Sequence, residues 1–219
     1  MKSTPPHPVW RSHPARPKTV IDVHAHVGKC KSHPWLGTND LSEVLDRAAS
    51  VGVDISIISH IDAVYYPEKY DKSANCKLLR QCEKRRDALV WWVVDPRSKE
   101  SMELIRHQAG HPKIVGMKIG PTYHNYPFRR YARVILDLAS ELDLAVLTHS
   151  GQPNDMPGDI VAYVNHYPDV RFVIAHFGNC LDFQGHLRAF KKCTSKRCFV
   201  DTSSAMSMYC DHIENGVRQ

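Results

Sequence analysis

Two histidines one residue apart lie near the start of the chain, in the β-branched, apolar run TVIDVHAHV at residues 19–27. Side chains alternate across a β-strand, so His24 and His26 would leave the same face if this run forms a strand. Neutral imidazole is a standard zinc ligand, and two such rings at one strand end can reach the same ion. The spacing makes a metal site one hypothesis. The alternative is a pair of histidines on a half-exposed strand with no ligand role.

Short β-rich runs recur along the rest of the chain and alternate with segments of helical character. This alternation predicts βα units around a parallel sheet, and the strand spacing favours a (β/α)8 barrel, a fold of typically about 250 residues. An open doubly wound sheet is the alternative, but no glycine-rich phosphate loop follows the first strand. Asn39 or Asp40 is the expected N-cap of the first helix, and Gly52 its C-terminal cap. The predicted strands lie near 20–27, 55–61, 89–95, 114–119, 144–149, 171–176 and 198–202, and the predicted helices at 41–50, 73–86, 99–108, 129–142, 157–166 and 187–192.

Ionisable side chains stand at or near the ends of all the predicted strands. If the fold is a barrel, its site lies at these C-terminal ends, because the ends and the loops that follow them converge on one face. The series is hard to explain as core filling, since a buried imidazole or lysine is costly unless it is paired or ligated. Its members are His24, His26, His60, Asp95, Lys118, His149, His176 and Asp201.

Four segments in sequence order, IDVHAHVG, GMKIGPTYH, VLTHSG and VIAHFGN, resemble strand signatures of the amidohydrolase superfamily. The resemblance is to the amidohydrolase-related group, which contains metal-dependent hydrolases and non-oxidative decarboxylases, and it runs from Thr19 to the last residue. It implies a distorted (β/α)8 barrel that holds a divalent metal, which we expect to be one Zn²⁺.

Residue by residue, the resemblance implies that His24, His26 and His149 are metal ligands. His176 matches the sixth-strand histidine, which acts as a base or electrostatic catalyst in single-metal members and can bind a second ion in two-metal members. Lys118 matches the fourth-strand lysine, which bridges two metals when carboxylated, although an unmodified Lys118 could equally bind a substrate carboxylate. His176 and Lys118 are therefore the catalytic candidates.

One residue that the resemblance calls for lies beyond the end of this sequence. Members of the superfamily carry an aspartate at the end of the eighth strand, which binds the metal and takes a proton from the attacking water. Asp201 belongs to the predicted seventh strand and is not assigned that role. We expect about seven of the eight βα units, with residues 211–219 resembling the helix before the eighth strand. Three histidines would leave zinc a position for water, the general-base step would fall to His176, and activity could be weak or absent.

Several weaker candidates lie at strand ends and in loops. Tyr123 and His124 follow the predicted fourth strand and could contact substrate or only pack, and His60 could face the barrel mouth or be structural. Asn179 could support the site or make a turn, and nothing in the sequence assigns a base to Cys180. We take His60, Tyr123 and His124 as the substrate-binding candidates.

The composition is that of a soluble globular protein, with 42% hydrophobic and 24% charged residues among 219. No apolar run approaches the roughly 20 residues of a membrane span. The net charge of +6 is compatible with an anionic small-molecule substrate, and the basic runs lack the aromatic residues of a nucleic-acid reader. Seven scattered cysteines and no signal peptide predict a cytoplasmic protein with reduced thiols. We expect residues 1–18 to form a Pro-rich basic arm and residues 19–219 to form a barrel domain that is C-terminally incomplete.

The predicted function is metal-dependent hydrolysis of a C–N or C–O bond in a small amide, lactone or cyclic substrate through a metal-activated water. A non-oxidative decarboxylase on the same scaffold is the alternative. A second alternative is a truncated, catalytically impaired barrel that acts as an interaction protein or homo-oligomer, because an open strand edge recruits partners. Neither a nucleic-acid nor a membrane partner is expected.

Overall fold

Seven parallel strands form one sheet in the computed structural model, which describes residues 19–29, 37–177 and 183–203. Each strand pairs with its neighbour in the sequence, from β1 to β7, and helices connect them. This is the topology of a (β/α)8 barrel with seven strands present among the described residues, which confirms the predicted fold. The strands are β1 Ile21–Val27, β2 Ile55–His60, β3 Ala88–Val93, β4 Ile114–Ile119, β5 Ala145–Thr148, β6 Phe172–Ile174 and β7 Cys198–Val200. The helices are α1 Leu41–Ser50, α2 Ile61–Tyr65, α3 Pro67–Glu83, α4 Lys99–Gln108, α5 Phe128–Glu141, α6 Pro157–Val164 and α7 Phe183–Lys191.

The central strands are apolar along their whole length because both of their faces are covered. One face packs against the helices, as in the contact of α5 with the sheet, and the other fills the interior with Trp91, Leu147 and neighbouring side chains. The indole N–H of Trp91 crosses this interior to donate to the carbonyl of Val23 on β1, at 2.8 Å. A Cβ on Gly116 would lie 2.5 Å from the Trp91 ring, so the glycine makes room for the indole.

The predicted caps of α1 are both present. The Asp40 carboxylate accepts from the backbone N–H of Ser42 at 2.8 Å, which identifies Asp40 as the N-cap. Gly52 has a φ of +90°, a left-handed conformation that suits glycine, and its N–H donates to the carbonyl of Ala49. The boundaries of this helix therefore follow from local chemistry.

The structure has one helix that was not predicted and two that begin well before their predicted starts. The short helix α2 was not predicted; it begins directly after β2, where the Nδ1 atom of His60 accepts from the N–H of Asp62 at 3.2 Å. The next helix, α3, begins at Pro67 and not at residue 73, since proline is tolerated in a first helical turn. The last, α7, begins at Phe183, four residues before its predicted start.

The outer strands of the described sheet are β1 and β7, and each has one strand neighbour among the residues described. Ile21 on β1 and Phe199 on β7 are 48% and 53% exposed, so apolar side chains face solvent on both. At their C-terminal ends the two strands approach each other, because Nδ1 of His24 lies 2.8 Å from a carboxylate oxygen of Asp201. The site is built around this junction.

Some predictions concern residues outside the described ranges, namely the arm at residues 1–18, Asn179, Cys180 and the C-terminal segment at 211–219. Cys76, Cys82, Cys193 and Cys198 are free thiols. No described helix has both the length and the apolar character that a bilayer crossing requires.

Candidate metal and catalytic site

Four histidines form a continuous row at the C-terminal end of the sheet. The ring centroids of His26 and His24 are 4.9 Å apart, those of His24 and His176 5.1 Å, and those of His176 and His149 4.9 Å. They come from β1 and from the residues that follow β5 and β6, so the parallel strands place them together as predicted. Lys118 on β4 joins the row through its Nζ atom, which lies 2.9 Å from Nε2 of His24.

His24 has one ring nitrogen committed to a carboxylate. Because the ionised carboxylate of Asp201 can only accept, Nδ1 of His24 carries the proton, and Nε2 holds the lone pair that Lys118 contacts. Burial lowers the pKa of His24, and the charge of Lys118 lowers it further, while the bond to Asp201 opposes both effects. The ring is therefore neutral near pH 7, which is the state that a metal ligand needs.

His26 and His149 repeat this arrangement on other elements. Nδ1 of His26 lies 2.9 Å from the hydroxyl of Ser59 on β2, and Nδ1 of His149 lies 3.0 Å from the carboxylate of Asp155. Burial and then the neighbouring His24 hold the pKa of His26 well below its usual value. In metal sites the ligating histidine usually engages a carboxylate, carbonyl or water through its other nitrogen. The tethered Nδ1 atoms thus leave three Nε2 atoms as candidate ligands.

A tighter group consists of His24, His176 and Asp201, whose ligand atoms all lie within 4.8 Å of one another. Asp201 is already heavily engaged: one oxygen accepts from His24, and the other accepts from the backbone N–H of His176 and from both donors of Ser203. A metal bound to Asp201 would have to break some of these bonds. We therefore assign Asp201 to orienting the histidines. In the described part of the chain, His26 and His149 lie outside the 4.8 Å group.

The donor chemistry fits a divalent first-row metal ion that imidazole binds. Imidazole suits zinc and its first-row neighbours, and the rings of the site are buried or half-buried and oriented by fixed partners. Lys118 occupies the lone pair of His24, so an ion at that nitrogen requires Lys118 to move.

His176 has an uncommon backbone conformation, with a φ of +64°. Its Nδ1 atom lies 3.1 Å from the carbonyl oxygen of Ser203, and since a carbonyl only accepts, Nδ1 is the protonated nitrogen and Nε2 the open one. Burial, followed by the charges of His149 and Lys118, lowers the pKa of His176 to about 3. The ring is therefore neutral near pH 7, with an unprotonated Nε2 atom and a basicity well below that of a free imidazole.

Lys118 is 2% exposed, and burial lowers its pKa to about 8, against the partly compensating charges of Asp201 and Asp155. A lysine with this pKa is a cation at pH 7 that gives up its proton readily. The structure is thus compatible with both chemistries that the sequence left open for Lys118, a carboxylated lysine and a substrate-binding cation.

The three substrate-binding candidates have different surroundings. Tyr123 is half-buried, and its ring centroid lies 4.8 Å from that of His149 and 4.6 Å from that of Tyr65. His60 is 3% exposed and caps α2. His124 is 2% exposed, and burial lowers its pKa while the charge of Asp95 raises it. Only Tyr123 of the three borders the histidine row directly.

Several residues of the site were not predicted from sequence. Ser59, Asp155 and Ser203 each hold a histidine ring, and Tyr65 extends the aromatic wall beside His149. Asp155 follows His149 by six residues in the loop SGQPND, where an acidic residue would ordinarily be read as part of a turn. Asp201 was predicted to lie at a strand end, but its hydrogen bond to His24 was not predicted.

The histidine row, its tethered Nδ1 atoms and the neighbouring lysine occur at one end of a parallel barrel. The sequence profile of the family described as Amidohydrolase matches residues 21–216, which includes every one of these side chains. The chain belongs to the amidohydrolase family. No curated protein matches it.

Solved structures share the fold of this amidohydrolase. Amidohydrolase 2 from Bifidobacterium longum subsp. infantis has a TM-score of 0.60 at 18% identity, over 91% of this chain and 78% of that one. The 5-carboxyvanillate decarboxylase from Novosphingobium aromaticivorans, solved with bound manganese and 3-methoxy-4-hydroxy-5-nitrobenzoic acid, has a TM-score of 0.64 at 13% identity, over 91% and 83%. A dihydroorotase has a TM-score of 0.52 at 13% identity, over 83% and 51%. The family thus places the chain among amidohydrolases, and the neighbours include both hydrolases and decarboxylases.

Proposed function

We propose that this amidohydrolase is a metal-dependent hydrolase of a C–N or C–O bond in a small amide, lactone or other cyclic substrate. The observation that carries the proposal is the set of three histidines, His24, His26 and His149, each held through Nδ1 beside the neutral His176. Nε2 of His24 becomes available when Lys118 moves away from it. These three would hold one divalent ion, with zinc as the preferred metal. When bound, such an ion supplies a Lewis acid that polarises a carbonyl and acidifies water.

The orientation of His176 supports a role as proton acceptor in this reaction. Its Nδ1 atom is fixed between the carbonyl and hydroxyl oxygens of Ser203, so Nε2 is oriented and unprotonated. A base must lie within hydrogen-bond reach of the proton that it takes, and the His176 ring stands between those of His24 and His149. We assign it the general-base step.

Lys118 and Tyr123 define the substrate that we propose. A buried ammonium beside the histidine row would attract a carboxylate or another anionic group, in keeping with the net charge of +6. The aromatic wall of Tyr65 and Tyr123 continues to the ring of His149 and would support a flat ring. The preferred substrate is therefore a small, planar and anionic molecule.

A non-oxidative decarboxylase is the second candidate. It is supported by the likeness in fold to the 5-carboxyvanillate decarboxylase, which was solved with manganese and a substituted benzoic acid. The same side chains would serve it: Lys118 and the metal would hold the carboxylated substrate, and the tyrosines would pack on its ring. The two reactions differ in their products, which makes them separable by experiment.

Metal analysis of the purified protein tests the metal site. We expect one equivalent of divalent metal in the wild type and its loss in His24→Ala and in His149→Ala. His166→Ala is the matched control, because His166 is exposed and lies outside the site. A wild type without metal, or equal metal content in all four proteins, would refute the ligand assignment.

Product analysis in ¹⁸O-labelled water then tests the reaction, with flat cyclic amides, lactones and aromatic carboxylates as substrates. Hydrolysis incorporates one labelled oxygen atom into the product. Release of carbon dioxide without incorporation would replace the hydrolase by the decarboxylase. Metal binding without either reaction on any substrate class would count against both candidates.

A further inference from the structure

The backbone at His176 needs support from its surroundings. A φ of +64° is sparsely populated by residues with a side chain, and it persists where neighbouring contacts fix it. Part of that support comes from Asp201, whose carboxylate accepts from the N–H of His176 at 3.0 Å and whose carbonyl accepts from the N–H of Phe177 at 2.8 Å. The two peptide groups that flank His176 are therefore both bonded to Asp201, which directly follows β7.

The peptide that precedes His176 is held from the opposite direction. The hydroxyl of Ser150 donates to the carbonyl oxygen of Ala175 at 2.5 Å, and the same hydroxyl lies 3.1 Å from Nε2 of His186 on α7. A carbonyl oxygen only accepts, so the single proton of Ser150 is used there, and Nε2 of His186 must be the donor to Ser150. The result is a one-way chain of hydrogen bonds from His186 through Ser150 to Ala175.

This chain is entirely internal. Ser150 is 2% exposed, and Ala175 and His186 are 0% exposed, so loss of any link would leave a buried polar group without its partner. Ser150 directly follows His149, and Ala175 directly precedes His176. One hydroxyl therefore ties together the backbones that carry two histidines of the site.

We propose that Ser150 and His186 are positioning residues that hold His176 in its left-handed conformation and aim its ring at the site. Both residues act on His176 through the Ala175 carbonyl, Ser150 directly and His186 by way of Ser150. The catalytic part of the inference rests on the proposed role of His176 as the general base.

Amide hydrogen exchange of His176, measured by NMR on the full chain, tests the positioning itself. In Ser150→Ala and His186→Leu we expect the His176 amide to exchange about tenfold faster or more, after correction for the global stability measured by urea unfolding. In His186→Gln we expect exchange near the wild-type rate, because the side-chain amide can donate to Ser150. Ser56→Ala is the matched control, since Ser56 is a buried strand serine whose hydroxyl has no hydrogen-bond partner among the described residues.

Unchanged exchange in both Ser150→Ala and His186→Leu would overturn the proposal, as would a His186→Gln variant that behaves like His186→Leu. When a substrate that the wild type converts is used, the variants with faster exchange should lose about 10- to 100-fold in kcat, while KM and metal content stay constant. Faster exchange with unchanged kcat would refute the positioning role in catalysis. Faster exchange in a protein whose wild type turns over no substrate would sink the proposed function and leave the backbone support standing.

Discussion

Replacing Asp155 by asparagine should weaken both the fold and the metal site. Asp155 is fully buried, and its carboxylate accepts three N–H groups: Nδ1 of His149 at 3.0 Å, the backbone N–H of Thr122 at 3.2 Å and that of Gln152 at 2.9 Å. Two of these bonds share one oxygen. An asparagine can place its oxygen toward His149 and Thr122 and keep both of those bonds. Its NH₂ group then faces the N–H of Gln152, so Asp155→Asn loses one bond, opposes donor to donor there and removes the charge from the other two bonds.

The size of the effect follows from this count. A hydrogen bond to a charged group contributes about 1.5–3 kcal/mol, and the two remaining bonds weaken when their acceptor loses its charge, so we expect Asp155→Asn to lower the free energy of unfolding by about 3 kcal/mol. A domain of ordinary stability, about 5–15 kcal/mol, still folds. Loss of a carboxylate that orients a ligating histidine typically costs about 10- to 100-fold in metal affinity. That second effect should appear in the folded variant.

The stability deficit should also depend on pH in a defined direction. Burial alone would raise the pKa of Asp155, but the hydrogen bond and charge of His149, with the two backbone N–H groups, outweigh it and lower the pKa. A carboxyl whose pKa is lower in the folded protein stabilises it above the unfolded value of about 3.9, and that stabilisation disappears as the pH falls through the folded pKa. The difference between wild type and Asp155→Asn should therefore be complete at pH 7 and shrink below about pH 4.

Urea unfolding of the metal-free proteins measures the first effect, and competition with a fluorescent zinc chelator measures the second. Asp137→Asn is the matched control: Asp137 is exposed and accepts from the hydroxyl of Tyr167, and the same chemical change there should stay within about 0.5 kcal/mol. A folded Asp155→Asn variant with wild-type zinc affinity would show that His149 needs no orientation by Asp155 or is not a ligand. Equal stability losses in the two variants would refute the bond count.

Two further predictions concern the interior. Gly116→Ala should destabilise the protein by about 1–3 kcal/mol or more in urea unfolding, because the added Cβ would meet the Trp91 ring at 2.5 Å and the carbonyl of Ala145 more closely still. Gly158→Ala in α6 is the control and should be neutral or stabilising, because the added carbon meets nothing within 4 Å. Equal effects of the two changes would contradict this explanation. Cys82 is fully buried, and burial raises its pKa to about 12. Its thiol should therefore resist alkylation by iodoacetamide at pH 8 until the protein unfolds, which peptide mapping can measure. Rapid labelling in native buffer would count against the burial of Cys82.

The sheet could be predicted from sequence because its signal is local. Strands such as β3 and β4 are short, apolar and bounded by turns or charged residues, and their order in the sheet follows from the rule that successive βα units lie side by side. The ends of those strands then fixed which ionisable side chains would meet. For this reason His149 and His176 could be grouped with His24 although more than 100 residues separate them.

The hydrogen-bond partners of those side chains were harder to predict from sequence, because they depend on loop conformation. Asp155 reaches His149 because of the path of the loop after β5. The start of α2 depends on the hydrogen bond that Nδ1 of His60 accepts from the N–H of Asp62. The left-handed conformation of His176 depends on Asp201, which follows β7, and on the bond that Ser150 shares with α7, and no local sequence signal marks it. Such features are cooperative products of tertiary structure.

The H-x-H spacing illustrates the difference. Alternation along a strand explains why His24 and His26 share a face, even though the pairing of β1 with β2 shifts in register between Asp22 and Ala25. It does not say which nitrogen of each ring is available. In His24 the carboxylate after β7 fixes the proton on Nδ1, and the ammonium of Lys118 takes the remaining lone pair. One lone pair serves one partner at a time, so a metal ion and Lys118 compete for His24, and the state of Lys118 must change when the site is loaded.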